Sequence, residues 1–237
     1  SEYSGGDPQY YGEIWVDPHV ADSIWVVASP LMRSTDGGAT FERMNFAIHV
    51  DHHEIVFDPD DSRHMWVGND GGLYETFDSG ATWRHFTNLP LSQFYRVSAD
   101  NARPFYNVCG GTQDNGTHCG PARSLNSVGV RTSDWYSVGG GDGFQAYFDP
   151  EIPEIVYRQS QNGVLGKLDL RTGETTDIRP LRRTSEAGDG DEAEAEFDRG
   201  RWHWDSPLVV SGHGSGRLFY AGNRLYRSDD RGDTWVA

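Results

Sequence analysis

Five short stretches of the chain gather acids, histidines and aromatic rings, the side chains that catalysis and recognition need. They are Tyr10, Tyr11 and Glu13; Asp51-His52-His53-Glu54; Gln93, Phe94, Tyr95 and Arg96; Asp142, Gly143 and Phe144; and Trp202-His203-Trp204-Asp205. Three chemistries fit these residue types. Two carboxylates about 5–10 Å apart across a sugar can cleave a glycosidic bond, and Asp51, Glu54, Asp142 and Asp205, with Glu13, are the acids on offer. Aromatic faces beside carboxylates suit sugar rings and peptides alike; Tyr11, His52, His53, Phe94, Tyr95, Arg96, Phe144, Trp202 and Trp204 are the candidate binding residues. Asp51-His52-His53 offers ligand types for a metal ion. Adjacent strand residues point to opposite faces, however, so both histidines reach one ion only across a bulge. Histidines hydrogen-bonded between sheets are the preferred reading, and neither a metal nor a cofactor is expected. Gly139-Gly-Gly-Asp-Gly143 has neither the Lys-Ser/Thr nor the helix start of a phosphate-cradling loop, and reads as a backbone turn.

The elements that must position these residues come from an internal repeat. Trp25 to Phe41, Trp66 to Trp83 and Phe219 to Trp235 each read as a strand opening on an aromatic, a small-residue turn and a second strand. Each closes on Ser/Thr-x-Asp-x-Gly-x-Thr-aromatic. In that turn the Asp can accept backbone N–H bonds, the Gly supplies a positive φ, and the aromatic returns to the core. Asp36, Asp78 and Asp230 are therefore expected to be structural, not catalytic. Val16-Asp17-Pro18, Phe57-Asp58-Pro59 and Phe148-Asp149-Pro150 each end an apolar strand in a turn.

Asp36 and Asp78 lie 42 residues apart, and Asp78 to Asp230 spans three periods of about 51. Periods of this length, with four strands each, predict an all-β propeller of four-stranded antiparallel blades and almost no helix. About five blades are expected, at roughly 10–47, 48–93, 94–141, 142–199 and 200–237. The five chemistry-bearing stretches then fall just before the inner strand of each blade, at the mouth of the central channel. The phase of the repeat at its two ends also predicts that further blades, from the rest of a longer polypeptide or from another subunit, complete the ring.

Composition agrees. The chain has 237 residues, 36% of them hydrophobic, with 29 glycines and 13% aromatics, a balance suited to short strands and tight turns. A net charge of −16 repels phosphate backbones, which excludes nucleic acid as the expected partner. No apolar run is long enough to span a membrane as a helix. Part of the acidity is local: the 186–198 stretch carries seven carboxylates and reads as a solvated loop. Cys109 and Cys119 bracket a glycine-rich segment that can close into a disulfide, which would place the chain in an oxidising, extracytoplasmic compartment.

The repeats resemble the Asp-box, or BNR, repeat of bacterial sialidases, xyloglucan-degrading enzymes and sortilin-type propellers. His49-Val-Asp-His-His-Glu54, Trp66-Val-Gly-Asn-Asp-Gly-Gly72, Cys109 to Gly116, Asp134 to Gly143 and Tyr220 to Ser228 are similar to stretches of large exported bacterial proteins with sortilin-like propellers, often labelled glycosyl hydrolases. The resemblance implies a fold more than an activity. A sialidase needs an arginine cluster and a Tyr nucleophile; Arg96 is the single arginine among the mouth positions, which excludes that subtype. No complete catalytic set is visible. The expected function is a non-catalytic, exported interaction or scaffold propeller whose partner is protein, or glycan; part of a glycoside hydrolase working through the mouth carboxylates is the alternative.

Overall fold

The computed structural model describes residues 12–44, 47–89, 91–180, 182–183, 197–198 and 200–237. Tyr10, Tyr11 and most of the acidic 186–198 stretch lie outside the described residues. The chain forms two compact units, Ser1–Leu91 and Ser92–Ala237.

Unit 1 holds two four-stranded antiparallel sheets, each a meander in chain order. The first runs β1 (Glu13–Val16), β2 (Ile24–Val27), β3 (Met32–Ser34) and β4 (Glu42–Arg43). The second runs β5 (His52–Phe57), β6 (Met65–Asn69), β7 (Gly72–Thr76) and β8 (Arg84–His85). Trp25 and Val27 of β2, Ile55 of β5, Met65 and Val67 of β6 and Tyr74 of β7 bury one common core with Leu31 and Ile48. Alternation along β6 sends Met65 and Val67 inward and leaves Trp66 half-buried, the period-two pattern of a pleated strand.

Unit 2 holds three blades. β9 (Phe94–Ala99), β10 (Asn107–Thr112), β11 (Thr117–Pro121) and β12 (Tyr136–Gly139) form one sheet. β13 (Gly143–Phe148), β14 (Ile155–Ser160), β15 (Val164–Asp169) and β16 (Thr175–Asp177) form the next. A two-stranded ribbon follows, β17 (Arg182–Arg183) with β18 (Phe197–Asp198). The fifth blade has β19 (Leu208–Val210), β20 (Leu218–Ala221) and β21 (Leu225–Ser228), and Val236 takes the fourth place by exchanging both backbone hydrogen bonds with Arg227. The chain is thus all-β and built of propeller blades. Helix among the described residues is limited to two single 3-10 turns, Thr132–Asp134 and Gln161–Gly163. None of its helices is long and apolar enough to cross a membrane.

The turns that punctuate the repeat close in one way. Asp36 accepts the Thr40 amide at 2.8 Å and the Thr40 hydroxyl at 2.6 Å, while Ser34 donates to it at 2.8 Å and accepts the Gly38 amide at 2.9 Å. Asp78 with Thr82, Thr76 and Gly80 repeats the pattern, as does Asp230 with Thr234, Ser228 and Gly232. Hydrogen bonds from that threonine, side chain first, hold all three carboxyls down at about 2. The three acids are fully committed to their turns.

A second carboxylate knits unit 2 across its blades. Asp149 caps the Glu151 and Ile152 amides with Oδ1. Its Oδ2 accepts from Tyr157 at 2.6 Å and from Arg231 at 3.0 Å, and Arg231 sits in the last blade's Asp230 turn. Cys109 and Cys119 face each other on β10 and β11, fully buried, and are joined by a disulfide. The bond staples a hairpin between neighbouring strands of one blade.

Candidate functional site

The segments expected to line a channel mouth differ between the two units. In unit 1 the segment at the start of β5 is turned in on itself. Asp51 adopts a positive φ of 61° and its carbonyl accepts the Asp70 amide. His52 is buried, with Nδ1 3.4 Å from the Asn69 amide group; burial is the main cause that brings its pKa down to about 4, so it is neutral at neutral pH. His53 points the other way, half-exposed, 2.7 Å from Asp70. A bulge does interrupt the β5–β6 register between His52 and Glu54, yet the two imidazoles remain on opposite sides. No group of three or more metal-ligating side chains occurs among the described residues. Glu54 and Glu13 are exposed.

In unit 2 three segments converge; Tyr95 and Phe144 lie within the first strands of their sheets and not ahead of them as the sequence suggests, and Trp204 precedes β19. Phe144, at the start of β13, is fully buried and forms the floor. The Tyr95 ring of β9 stacks on it at 4.6 Å, and Trp204, which precedes β19, meets it edge-on at 6.4 Å. Both rings stay open to solvent, Tyr95 at 37% and Trp204 at 48% exposure. An ion pair between their sequence neighbours, Arg96 and Asp205 at 2.7 Å, ties the two segments together across 109 residues.

Carboxylates rim these rings. Asp142 is buried, and its Oδ1 accepts the Asp114 amide at 3.1 Å while the Gln161 side chain lies 3.5 Å from Oδ2. Gln161 Oε1 accepts the Asp142 amide in return. The Tyr95 phenol is pushed up, first by burial and then by the negative charges of Asp142, Asp114 and Asp205. Asp205 Oδ1 is buried with no hydrogen-bond partner.

Glycine lets the blades meet this closely. A Cβ on Gly111 of β10 would lie 2.0 Å from the Gly143 carbonyl carbon, so the backbones of neighbouring blades touch directly beneath Phe144. Any side chain there would drive β13 outward and move the floor of the site.

Sequence position alone does not separate the remaining candidates. Phe94 is 40% exposed and covers Gly110, beside Trp135 at 6.3 Å. Trp202 stacks on Tyr220 at 4.8 Å and Tyr226 at 5.6 Å, packed against a hydrophobic core cluster and not beside Trp204. Asp114 and Gln161 carry no site signal in the sequence. Asp114 sits in an Asp-Asn-Gly turn with a φ of 60°, a turn signal and not a site signal.

No family model matches the chain, and no curated protein matches it in sequence. Among solved structures, a GH74 enzyme of Niastella koreensis is similar at 15% identity and a TM-score of 0.38, over 96% of this chain and 38% of that one. YCF48 bound to D1 peptide is similar at 14% identity and 0.37, over 91% of this chain and 63% of that one. Apo AztD from Citrobacter koseri is similar at 10% identity and 0.37, over 91% and 56%. The chain therefore spans less than two thirds of the length of each. At TM-scores of this size the fold rests on the sheets described above.

Proposed function

We propose that the chain is a non-catalytic, exported interaction propeller, a segment or subunit of a larger extracytoplasmic assembly, and that its ligand seat is the unit 2 mouth. The observation that carries this is the exposure of Tyr95 and Trp204 over a buried Phe144, on segments from three successive blades. Binding surfaces of this kind combine a rigid apolar floor with a few fixed polar groups. The carboxylates at the rim are engaged: Asp142 by its neighbours' hydrogen bonds, Asp205 by Arg96. Such acids orient a ligand more readily than they transfer protons. The buried disulfide of unit 2 supports an oxidising compartment.

A glycoside hydrolase is the second reading, favoured by an unpartnered carboxylate oxygen, Asp205 Oδ1, beside an aromatic platform. The two readings part in a hydrolysis screen against aryl glycosides and polysaccharides. The interaction reading expects no turnover above background. Turnover abolished by Asp142→Asn or Asp205→Asn would overturn it.

A further inference from the structure

The rings and carboxylates at the unit 2 mouth recur together in a way that selects a ligand by charge. Tyr95 and Trp204 are partly exposed aromatic residues, and an accessible ring face attracts a cation through its quadrupole. Carboxylates lie immediately beside these rings: Asp205 follows Trp204, and Asp142 lies two residues before the Phe144 floor. Only part of that charge is neutralised in place. Arg96 pairs with Asp205, whereas Asp142 takes its hydrogen bonds from uncharged donors, the Asp114 amide and the Gln161 side chain. The field reaches the rings, because the same aspartates act on the Tyr95 hydroxyl. Asp205 Oδ1 has no hydrogen-bond partner but is itself buried, so Asp205 acts on a ligand through its charge and not through that oxygen. The chain as a whole, at −16, attracts cations toward its surface.

A neutral sugar would use the rings and leave this charge uncompensated. A carboxylate-bearing ligand would be repelled by it. A guanidinium or ammonium uses both features, stacking on the exposed aromatics while its N–H groups reach the rim.

Resting on the reading of this mouth as a ligand seat, we propose that Tyr95, Phe144, Trp204, Asp142 and Asp205 form a recognition site for a cationic side chain, lysine or arginine, carried by a protein partner. Arg96 is its positioning residue, aligning the Tyr95 and Trp204 segments through Asp205.

The test uses the full chain labelled with nitrogen-15, following the Trp204 indole N–H resonance, assigned by its loss in Trp204→Leu. The probes are acetyl-(Gly-Arg)3-amide, the same peptide with citrulline in place of arginine, and cellohexaose. The arginine peptide is expected to shift the resonance saturably, and citrulline to weaken binding by roughly tenfold or more. Asp142→Asn should weaken the arginine peptide by a similar factor. Because Asp142 is buried, that variant's fold is checked by its melting curve; Trp204→Leu, on a half-exposed ring, gives an independent loss of affinity by calorimetry. Equal binding of the citrulline and arginine peptides overturns the charge selection, as does peptide binding unchanged in both variants. Cellohexaose shifting the resonance while the arginine peptide does not would leave the ligand seat standing and sink its cationic ligand. Silence toward all three probes would count against both.

Discussion

Stretches that occupy the same place in the repeat, at or just ahead of the first strand of a sheet, do opposite things with their chemistry in the two units. In unit 1, Asp51-His52-His53 folds its groups inward or onto neighbours: His52 is buried and neutral, and His53 is paired with Asp70. In unit 2, Tyr95 and Trp204 leave aromatic surface in solvent and are held there by an ion pair. The lesson is that position in the blade does not make a site. What decides is whether local partners consume the side chain. Asn69 and Asp70, one strand away, consume the histidines; the rings of unit 2 rest on a buried Phe144 that supports them from below and leaves their outer surfaces free.

The largest expected effect separates the units by pH. His52 has its pKa depressed from 6.5 to about 4, so the fold favours its neutral form. Its contribution is complete above pH 6.5 and is lost as the pH falls through 4, about 3 kcal/mol in all. Hydrogen exchange should show β5 and β6 opening more readily on acidification, with β13 and β14 unchanged, since Asp149 stays ionised there below its usual range. Equal acid sensitivity of the two pairs of strands would break the comparison. His64 sharpens it. Burial lowers its pKa, but Glu75 at 3.1 Å and Asp58 at 2.7 Å outweigh that and raise it, so its contribution is present below 6.5 and fades as pH rises past its folded value. His64→Gln should remove that alkaline arm and leave the acid one.

Reduction of the Cys109–Cys119 bond comes next. Its ten-residue separation predicts a loss of about 2.5 kcal/mol, confined to unit 2. Differential exchange with and without reductant checks this; an equal effect on β5 and β6 would contradict it. Arg96→Met should cost unit 2 no more than about 1 kcal/mol, because the guanidinium is half-exposed. It should still broaden the Trp204 indole resonance, since the segment loses its tie to Tyr95. The smallest effect belongs to His53→Ala, within about 0.5 kcal/mol as an exposed pair and with no change in binding at unit 2.

Much of the architecture was legible because the repeat stamps it. Ser34, Asp36, Gly38 and Thr40 form one closed hydrogen-bond set, and that set recurs wherever the pattern does. Strand meanders between such turns leave few alternatives to blades. The site was legible only as a shortlist. Trp202 and Trp204 are two residues apart and look equivalent, but 201–205 is not a strand, so alternation does not apply: one ring packs against Tyr220 and the other stays out. The Arg96–Asp205 pair and the Asp142–Gln161 exchange join residues far apart in the chain, and no local pattern announces them. Tyr11 falls outside the described residues.

The central claim is that recognition belongs to the unit 2 mouth and not to its unit 1 counterpart. The most direct measurement is calorimetric titration of the arginine peptide into two double variants of the full chain. Tyr95→Leu with Trp204→Leu should abolish binding, while Asp51→Asn with His53→Ala should leave it as in the parent. Binding kept by the first and lost by the second would place recognition in unit 1 and contradict the account.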